Sequence, residues 1–170
     1  LFAARLIREK GIYDYINAIK IIKNTHAEIN CAIVGFIDSH RRNSITIEEL
    51  KKWESDGLIK YLGESDDIRS ILLKSDCVVL PSYYNEGVPR ILLEAASMKI
   101  PLITSNHPGC RDAVENKMSG YICEKNNPKD LADKMELIIS MNHEEKQSMG
   151  LVGRKKMIDE FDEKIILDKY

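Results

Sequence analysis

The hydrophobic and polar residues of the chain form two recurring patterns. Short apolar runs rich in β-branched residues predict strands, at residues 1–4, 28–34, 59–62, 77–80, 101–104 and, after a turn, within 118–123. Longer stretches with apolar residues at every third or fourth position predict helices, at residues 12–23, 47–54, 68–74, 90–98, 128–139 and 143–161. Their alternation predicts an α/β fold, a Rossmann-like doubly wound parallel sheet with right-handed crossovers and flanking helices.

The carboxyl-terminal pattern, over residues 143–170, has two further features. Gly150 and Gly153 fall inside the helix predicted for residues 143–161, and we expect them to interrupt it because glycine is unfavourable within a helix. Residues 163–170 form a final amphipathic stretch. We therefore expect the chain to end in more than one helical segment.

The stretch 80–96 predicts a strand that passes through a loop into a helix; it reads Leu-Pro-Ser-Tyr-Tyr-Asn-Glu-Gly-Val-Pro-Arg-Ile-Leu-Leu-Glu-Ala-Ala. Two carboxylates bracket this turn, because Glu86 follows the strand and Glu94 lies about one turn inside the helix. In open parallel sheets, ligands bind in the crevice at such a strand end. Gly87 lets the main chain approach a ligand closely, and Pro89 is preset for a first helical turn.

The start of this helix predicts an anion site beside the two carboxylates. Free N–H groups at a helix amino terminus favour an anion, whereas carboxylates accept hydrogen bonds from hydroxyl groups. A sugar nucleotide offers both partners, since its diphosphate suits the helix end and its ribose and sugar hydroxyls suit the carboxylates. The turn therefore predicts a sugar-nucleotide site.

Composition and charge exclude several classes of protein. The chain has 170 residues with 44% hydrophobic content, which is enough for one well-packed domain. Its net charge of −2 gives no electrostatic footprint for nucleic acid, and no apolar stretch approaches membrane-spanning length. The cysteines lack Cys-x-x-Cys spacing, which favours reduced core thiols in a cytoplasmic protein; they are Cys31, Cys77, Cys110 and Cys123.

Residues 80–96, taken in this order, resemble the signature of the retaining GT-B glycosyltransferases of glycosyltransferase family 4 (group 1). The resemblance extends to Arg5 and Lys10 at the first strand-to-helix turn, and to the loops that contain Gly63 and Gly109. It implies that residues 1–170 are a single nucleotide-sugar-binding domain, the carboxyl-terminal half of a GT-B fold. The chain begins without methionine inside a predicted strand, so we expect an acceptor-binding amino-terminal domain to be missing.

Two details of this resemblance bear on the rest of the molecule. The sequence Gly109-Cys110-Arg111 is similar to the branch that assembles bacterial surface polysaccharides and lipid-linked oligosaccharides. In resembling proteins a terminal helix crosses back onto the amino-terminal domain, and we expect this of residues 163–170.

The resemblance also implies catalytic roles for Arg5, Lys10 and Glu86. Arg5 and Lys10 would bind the diphosphate of the donor and stabilise the charge that grows on it in the transition state. Glu86 would hold hydroxyls of the transferred sugar, and Glu94 would accept hydrogen bonds from the ribose.

Other donor-binding positions follow from the same resemblance. Gly87 and Val88 would present backbone amides to the diphosphate or sugar, with Pro89 and Arg90 completing the helix start. The Gly63 loop would lie against the nucleotide base. The Gly109 loop, with an acid at Asp112, would lie close to the donor sugar and phosphate.

The implied reaction transfers a hexosyl or N-acetylhexosaminyl unit from a nucleotide-diphosphate sugar, with UDP favoured, to an acceptor hydroxyl with retention of configuration. No cofactor or metal is expected, because protein cations would replace Mg²⁺. The expected partners are the donor and a saccharide or lipid-linked saccharide bound through the missing domain. We expect at most peripheral association of the full-length protein with the inner face of the plasma membrane.

Several alternative functions stay open from the residues. The chain could be a non-catalytic nucleotide or phosphosugar-binding module. A GT-B epimerase or phosphorylase is a related alternative, but the sequence of residues 81–89 and the absence of a pyridoxal-phosphate lysine pattern count against it. A glycosidase would use Glu86 and Glu94 as acid and nucleophile, but the parallel sheet with its glycine-led helix start favours phosphate binding. Cys110 as a nucleophile has no evident partner base beside it in the sequence.

Overall fold

The computed structural model describes residues 1–38 and 40–162, which form six strands and six α-helices. The strands are β1 (Phe2–Ala3), β2 (Ala32–Val34), β3 (Lys60–Tyr61), β4 (Val78–Leu80), β5 (Leu102–Ser105) and β6 (Gly120–Cys123). The helices are α1 (Ile12–Ile22), α2 (Ile47–Ser55), α3 (Ile68–Leu72), α4 (Arg90–Ser97), α5 (Pro128–Ser140) and α6 (His143–Glu160). Short 3₁₀ helices cover Arg8–Lys10 and Arg111–Ala113.

The strands form two parallel three-stranded sheets, β1-β2-β3 and β4-β5-β6. The two sheets meet between β1 and β4, where the backbone N–H of Val79 donates to the carbonyl of Leu1 at 2.9 Å. The strands therefore lie side by side in the order β3-β2-β1-β4-β5-β6. From β1 successive strands are added toward one edge of the sheet, and from β4 they are added toward the other edge, so the strand order reverses between β1 and β4. The predicted doubly wound parallel α/β fold is confirmed, and ligands of such folds bind outside the carboxyl ends of the strands at this reversal.

Two helical layers cover the sheet. Helix α1 packs against α5, and α4 packs against α6; right-handed crossovers place α1 and α4 on opposite faces, because the chain moves in opposite directions from β1 and from β4. Polar caps define several helix starts. Thr46 caps the start of α2 and Asn142 caps the start of α6, each with a capping box, which satisfies amide groups that the first helical turn leaves unpaired.

Helix α6 corrects the expectation at Gly150 and Gly153. The helix runs without a break from His143 to Glu160. A Cβ atom on Gly150 would collide with the backbone carbonyl of Lys99, just beyond the end of α4. The expected interruption was therefore wrong: Gly150 permits a close approach between two packed elements, which outweighs its low helix propensity.

The strand predicted for residues 28–34 is also shorter than expected. Only Ala32–Val34 is a strand, because the chain first turns back on the end of α1. The N–H groups of Thr25 and His26 donate to the carbonyl of Ile22 at 3.0 and 2.8 Å. The start of this predicted strand was therefore wrong.

The amphipathic stretch 163–170, expected to pack on another domain, lies outside the described residues. None of the helices within residues 1–38 and 40–162 has both the length and the apolar composition that a membrane-spanning helix needs.

Candidate functional site

The loops that follow β1 and β4 meet at the central reversal of the sheet. The N–H of Tyr83 and the hydroxyl of Ser82 both donate to the carbonyl of Glu9, at 2.8 and 3.3 Å. Gly11 has φ +80°, and a Cβ atom there would collide with the carbonyl of Pro81. The backbone of the first loop is therefore held directly against the backbone of the second.

Lys10 and Glu86 form an ion pair across these loops. The Nζ atom of Lys10 donates to Oε1 of Glu86. Lys10 is only 7% exposed, whereas the Glu86 side chain is 29% exposed. A buried ammonium group requires a partner. Two residues that the sequence assigns to one ligand site are thus brought into direct contact with each other.

Tyr84 is a site residue that the sequence reasoning missed. Its ring centroid lies 5.1 Å from Nζ of Lys10 and 6.0 Å from Cζ of Arg5, within the range of a cation–π interaction. The ring therefore connects Arg5 to the Lys10–Glu86 pair. The available signal was an aromatic residue two positions before Glu86, in the loop after β4.

The start of α4 lies on the other side of Glu86. The N-cap residue is Pro89, and it makes no side-chain cap, so first-turn amides remain available to an anion. One turn further, Oε1 of Glu94 lies 3.9 Å from Nη2 of Arg90, with the Arg90 side chain 91% exposed and that of Glu94 38% exposed. Both predicted polar residues of α4 therefore lie on one face, accessible to a ligand.

The loop after β5 packs against the same turn. Gly109 has φ +79°, and a Cβ atom there would lie 2.5 Å from the carbonyl oxygen of Gly87 and 3.0 Å from that of Glu86. Asp112 accepts a hydrogen bond from the N–H of Gly109 at 3.2 Å. The Gly109 loop thus contacts the predicted donor turn directly, and Asp112 fixes the loop that carries it.

Comparison with known proteins identifies the family. A family model described as glycosyl transferases group 1 matches residues 1–156. The chain belongs to this family. It is 26% identical over 168 residues to the capsular polysaccharide biosynthesis glycosyltransferase CapM of Staphylococcus aureus, a match that covers 99% of this chain and 43% of CapM.

Two further glycosyltransferases are similar to this group 1 chain. The N,N'-diacetylbacillosaminyl-diphospho-undecaprenol alpha-1,3-N-acetylgalactosaminyltransferase of Campylobacter jejuni is 30% identical over 171 residues, covering 100% of this chain and 42% of its own length. A structure of TarM from S. aureus with fondaparinux, alpha-GlcNAc-glycerol and UDP matches with a TM-score of 0.87 and 23% identity, over 99% of this chain and 33% of TarM. The chain spans less than half the length of each of these three proteins.

Within this group 1 domain, Gly63 lies apart from the loops that carry Lys10, Glu86 and Gly109. It follows β3 at the edge of the sheet with φ +75°, and its carbonyl accepts a hydrogen bond from the N–H of Gly35 at 2.9 Å. No atom lies within 4 Å of a Cβ built at Gly63, so the loop surface there is open. Its predicted contact with a nucleotide base stays a prediction.

His107 is a second residue that the sequence reasoning missed. It lies in the loop after β5, two residues before Gly109. Both of its ring nitrogens are buried, and neither has a hydrogen-bond partner among the described residues. Burying unpaired polar atoms is costly, so His107 is a group in this loop that could bond to a ligand. In the sequence, only its position two residues before Gly109 could have indicated a role for His107.

Cys110, one of the cysteines expected to be inert, belongs to this same loop. Cys110 is fully buried, and burial raises the pKa of its thiol, which disfavours the thiolate needed for nucleophilic attack. No group of three or more histidine, cysteine or acidic residues in the described part of the chain is arranged to hold a metal. Independence from metals stays a prediction.

Proposed function

We propose that this chain is the donor-binding domain of a retaining GT-B glycosyltransferase of family 4. The enzyme transfers a hexosyl or N-acetylhexosaminyl unit from a UDP-sugar to an acceptor hydroxyl in polysaccharide or lipid-linked glycan synthesis. An amino-terminal domain binds the acceptor. The observation that carries the proposal is the Lys10–Glu86 pair at the reversal point of the sheet, where open α/β sheets bind ligands.

The cations of the first loop bind the donor diphosphate in this proposal. The charged groups of Arg5 and Lys10 both lie near the ring of Tyr84, so the two positive charges are on the same part of the site. The amides of Gly87 and Val88 and the uncapped start of α4 add donors for the same phosphates. These groups stabilise the charge that develops on the leaving diphosphate, and interactions that strengthen in the transition state accelerate the reaction.

The carboxylates of the second loop and of α4 bind hydroxyl groups. Glu86 contacts Lys10 through Oε1, so its second oxygen can accept a hydrogen bond from the transferred sugar. Glu94, half-exposed on α4, accepts hydrogen bonds from the ribose, each worth about 1.5–3 kcal/mol because one partner is charged. Pro89 and Arg90 complete the helix start beside them.

The remaining loops surround the donor. Gly63 lies against the base, and the Gly109 loop lies beside the sugar and phosphate. Uridine is favoured over guanosine by the likeness to the polysaccharide branch, and TarM is a similar protein whose structure contains UDP. The protein cations take the place of a metal ion at the diphosphate.

Isothermal titration calorimetry on this chain with UDP, GDP and ADP tests the proposal. UDP is expected to bind most tightly. Glu94→Ala is expected to lower the affinity for UDP by about tenfold or more, because a charge-assisted hydrogen bond is lost. Glu124→Ala, an exposed glutamate outside the site, is the matched control. An unchanged affinity in folded Glu94→Ala would remove the ribose role, and binding of none of the three nucleotides would overturn the donor-binding assignment.

A further inference from the structure

A small pocket adjoins the loops that carry the Lys10–Glu86 pair. This site, the Tyr83 pocket, is lined by Arg8, Gly11, Tyr13, Asp14 and Tyr83 and has a volume of about 220 Å³. Sites for drug-sized ligands occupy about 300–1,000 Å³, so the Tyr83 pocket suits a smaller ligand of about one ring. None of its polar side chains has a role in the donor site described above.

The pocket shares its walls with the donor site. Gly11 directly follows Lys10, and Tyr83 directly precedes Tyr84. The hydrogen bond from the N–H of Tyr83 to the carbonyl of Glu9 holds these two walls together. A ligand in the Tyr83 pocket would therefore be a close neighbour of a donor bound at Lys10.

The charges of the pocket favour a neutral polar ligand. Arg8 and Asp14 contribute one charge of each sign. Burial raises the pKa of the Asp14 carboxyl, and a hydrogen bond from the backbone of Asn126 opposes it. Burial also raises the pKa of Tyr83, and the nearby carboxylates of Asp14 and Glu9 add to the effect, while Arg8 opposes it. An anion would meet this acidic side of the pocket, whereas hydroxyl groups can donate to the carboxylate of Asp14.

The Tyr13 side of the pocket is fixed before any ligand binds. Cζ of Arg8 lies 5.2 Å from the ring centroid of Tyr13. The Tyr13 hydroxyl donates to Glu49 at 2.8 Å, and its ring packs edge-on against Trp53 with centroids 5.8 Å apart. A ring held on several sides loses little conformational entropy on binding, which favours affinity.

We propose that the Tyr83 pocket is an additional subsite, on this chain, for one neutral sugar ring of the acceptor saccharide that the amino-terminal domain otherwise binds. The C–H face of the sugar packs on the tyrosine rings, since tyrosine combines an apolar face with a polar edge. Sugar hydroxyls donate to Asp14 and accept hydrogen bonds from Arg8. The acceptor assignment rests on the proposed glycosyltransferase function, whereas the binding of a sugar ring can be tested independently of it.

Two-dimensional ¹H–¹⁵N NMR of the chain, titrated separately with methyl α-D-glucopyranoside, N-acetylglucosamine, inorganic phosphate and UDP, tests this proposal. At least one of the two sugars is expected to shift the amides of Gly11, Tyr13 and Asp14, while UDP shifts amides of the donor turn. Tyr83→Ala and Arg8→Ala should each lower the affinity for the sugar by about fivefold or more, because each removes roughly one hydrogen bond or packing contact. Arg42 is an exposed arginine outside the pocket, and Arg42→Ala is the control. It should change the affinities for the sugar and for UDP by no more than about twofold.

The titrations separate the possible failures. Sugar shifts confined to Glu86 and Gly109, or shifts in the pocket with phosphate but with neither sugar, would overturn the proposal. If a sugar binds in the pocket but UDP binds nowhere, the sugar subsite stands and the acceptor assignment falls with the proposed function. The spectrum of each variant reports whether it is folded, and Tyr83→Phe, which keeps the ring, provides a milder second variant that should retain most of the sugar affinity.

Discussion

Lys10 and Glu86 lie 76 positions apart in the sequence and form an ion pair in which the lysine is much more deeply buried than the glutamate. Removing either side chain leaves the other charge without its partner, and the cost depends on how much water the remaining charge can reach. The pair therefore has an asymmetry that stability measurements can detect.

We expect Glu86→Ala to destabilise the fold more than Lys10→Ala. The first change leaves a nearly buried ammonium and should cost about 3–5 kcal/mol, whereas the second leaves a partly exposed carboxylate and should cost about 1–3 kcal/mol. Urea denaturation of both variants and of the double variant measures the two costs and their coupling. Lys60→Ala, at an exposed lysine, is the control, and an equal or reversed order would contradict the role of burial.

Lys10 is also expected to act in catalysis. In a full-length protein, Lys10→Ala should lower kcat by about 10²-fold or more and raise KM much less, because in the proposed function its contact with the leaving diphosphate strengthens in the transition state. Steady-state kinetics with the donor sugar nucleotide measures both constants. A raised KM with unchanged kcat would instead make Lys10 a ground-state binding residue only.

Gly109 offers a test of the contact between the two donor loops. Alanine there carries the strain of a positive φ and also a Cβ atom 2.5 Å from the Gly87 carbonyl, so Gly109→Ala should displace residues 86–87. Gly57→Ala is a matched control, since Gly57 has φ +66° with no atom within 4 Å of the added Cβ, and it should cost only the conformational strain of about 1–2 kcal/mol.

The two glycine variants are compared by thermal unfolding and by UDP calorimetry. Gly109→Ala should lose more stability than Gly57→Ala and should also weaken UDP binding. Equal losses of stability, with UDP affinity unchanged in both variants, would mean that the Gly109 loop does not position the donor turn.

The fold class could be predicted because strand and helix periodicities are local properties of the chain. The same is true of the strand-loop-helix at residues 80–96, whose predicted order the structure reproduces. The contact between Lys10 and Glu86 could not be predicted in the same way. Each residue was assigned to a ligand, and nothing local indicates that two residues so far apart bond to each other.

Tyr84, His107 and Gly150 show where local reasoning stops. A tyrosine in a polar loop has no pattern that marks it as a cation–π partner, and the burial of the His107 ring depends on packing around the loop. A helical glycine has the same sequence pattern whether it breaks a helix or permits a close approach, because the difference lies in the neighbouring element.

Glu49 predicts a pH dependence of stability. Burial raises the pKa of its carboxyl, but hydrogen bonds from Thr46 and Tyr13 outweigh this and hold the pKa below its usual value of 4.5. A carboxyl with a lowered pKa stabilises the fold above its unfolded-state pKa, and this contribution is lost as the pH falls through the folded value. Glu49→Gln should therefore be less stable than the unmodified chain at neutral pH, and the difference should shrink below about pH 4.5.

Urea denaturation of both proteins between neutral and acidic pH measures this difference. Glu48→Gln on the same helical turn is the control, and its difference from the unmodified chain should vary less with pH. A Glu49→Gln difference that stays constant or grows on acidification would refute the assignment.

Gly150 and Gly153 lie in the same helix and should respond in opposite ways to the same substitution. The nearest atom to a Cβ on Gly153 is 3.6 Å away, an ordinary contact, whereas a Cβ on Gly150 collides with the Lys99 carbonyl. Gly153→Ala should stabilise the chain by about 0.5–1 kcal/mol through helix propensity, and Gly150→Ala should destabilise it by about 1–3 kcal/mol, because α6 must move away from α4. Thermal unfolding of the pair decides the point: if both variants gain stability, Gly150 is not the point of close approach.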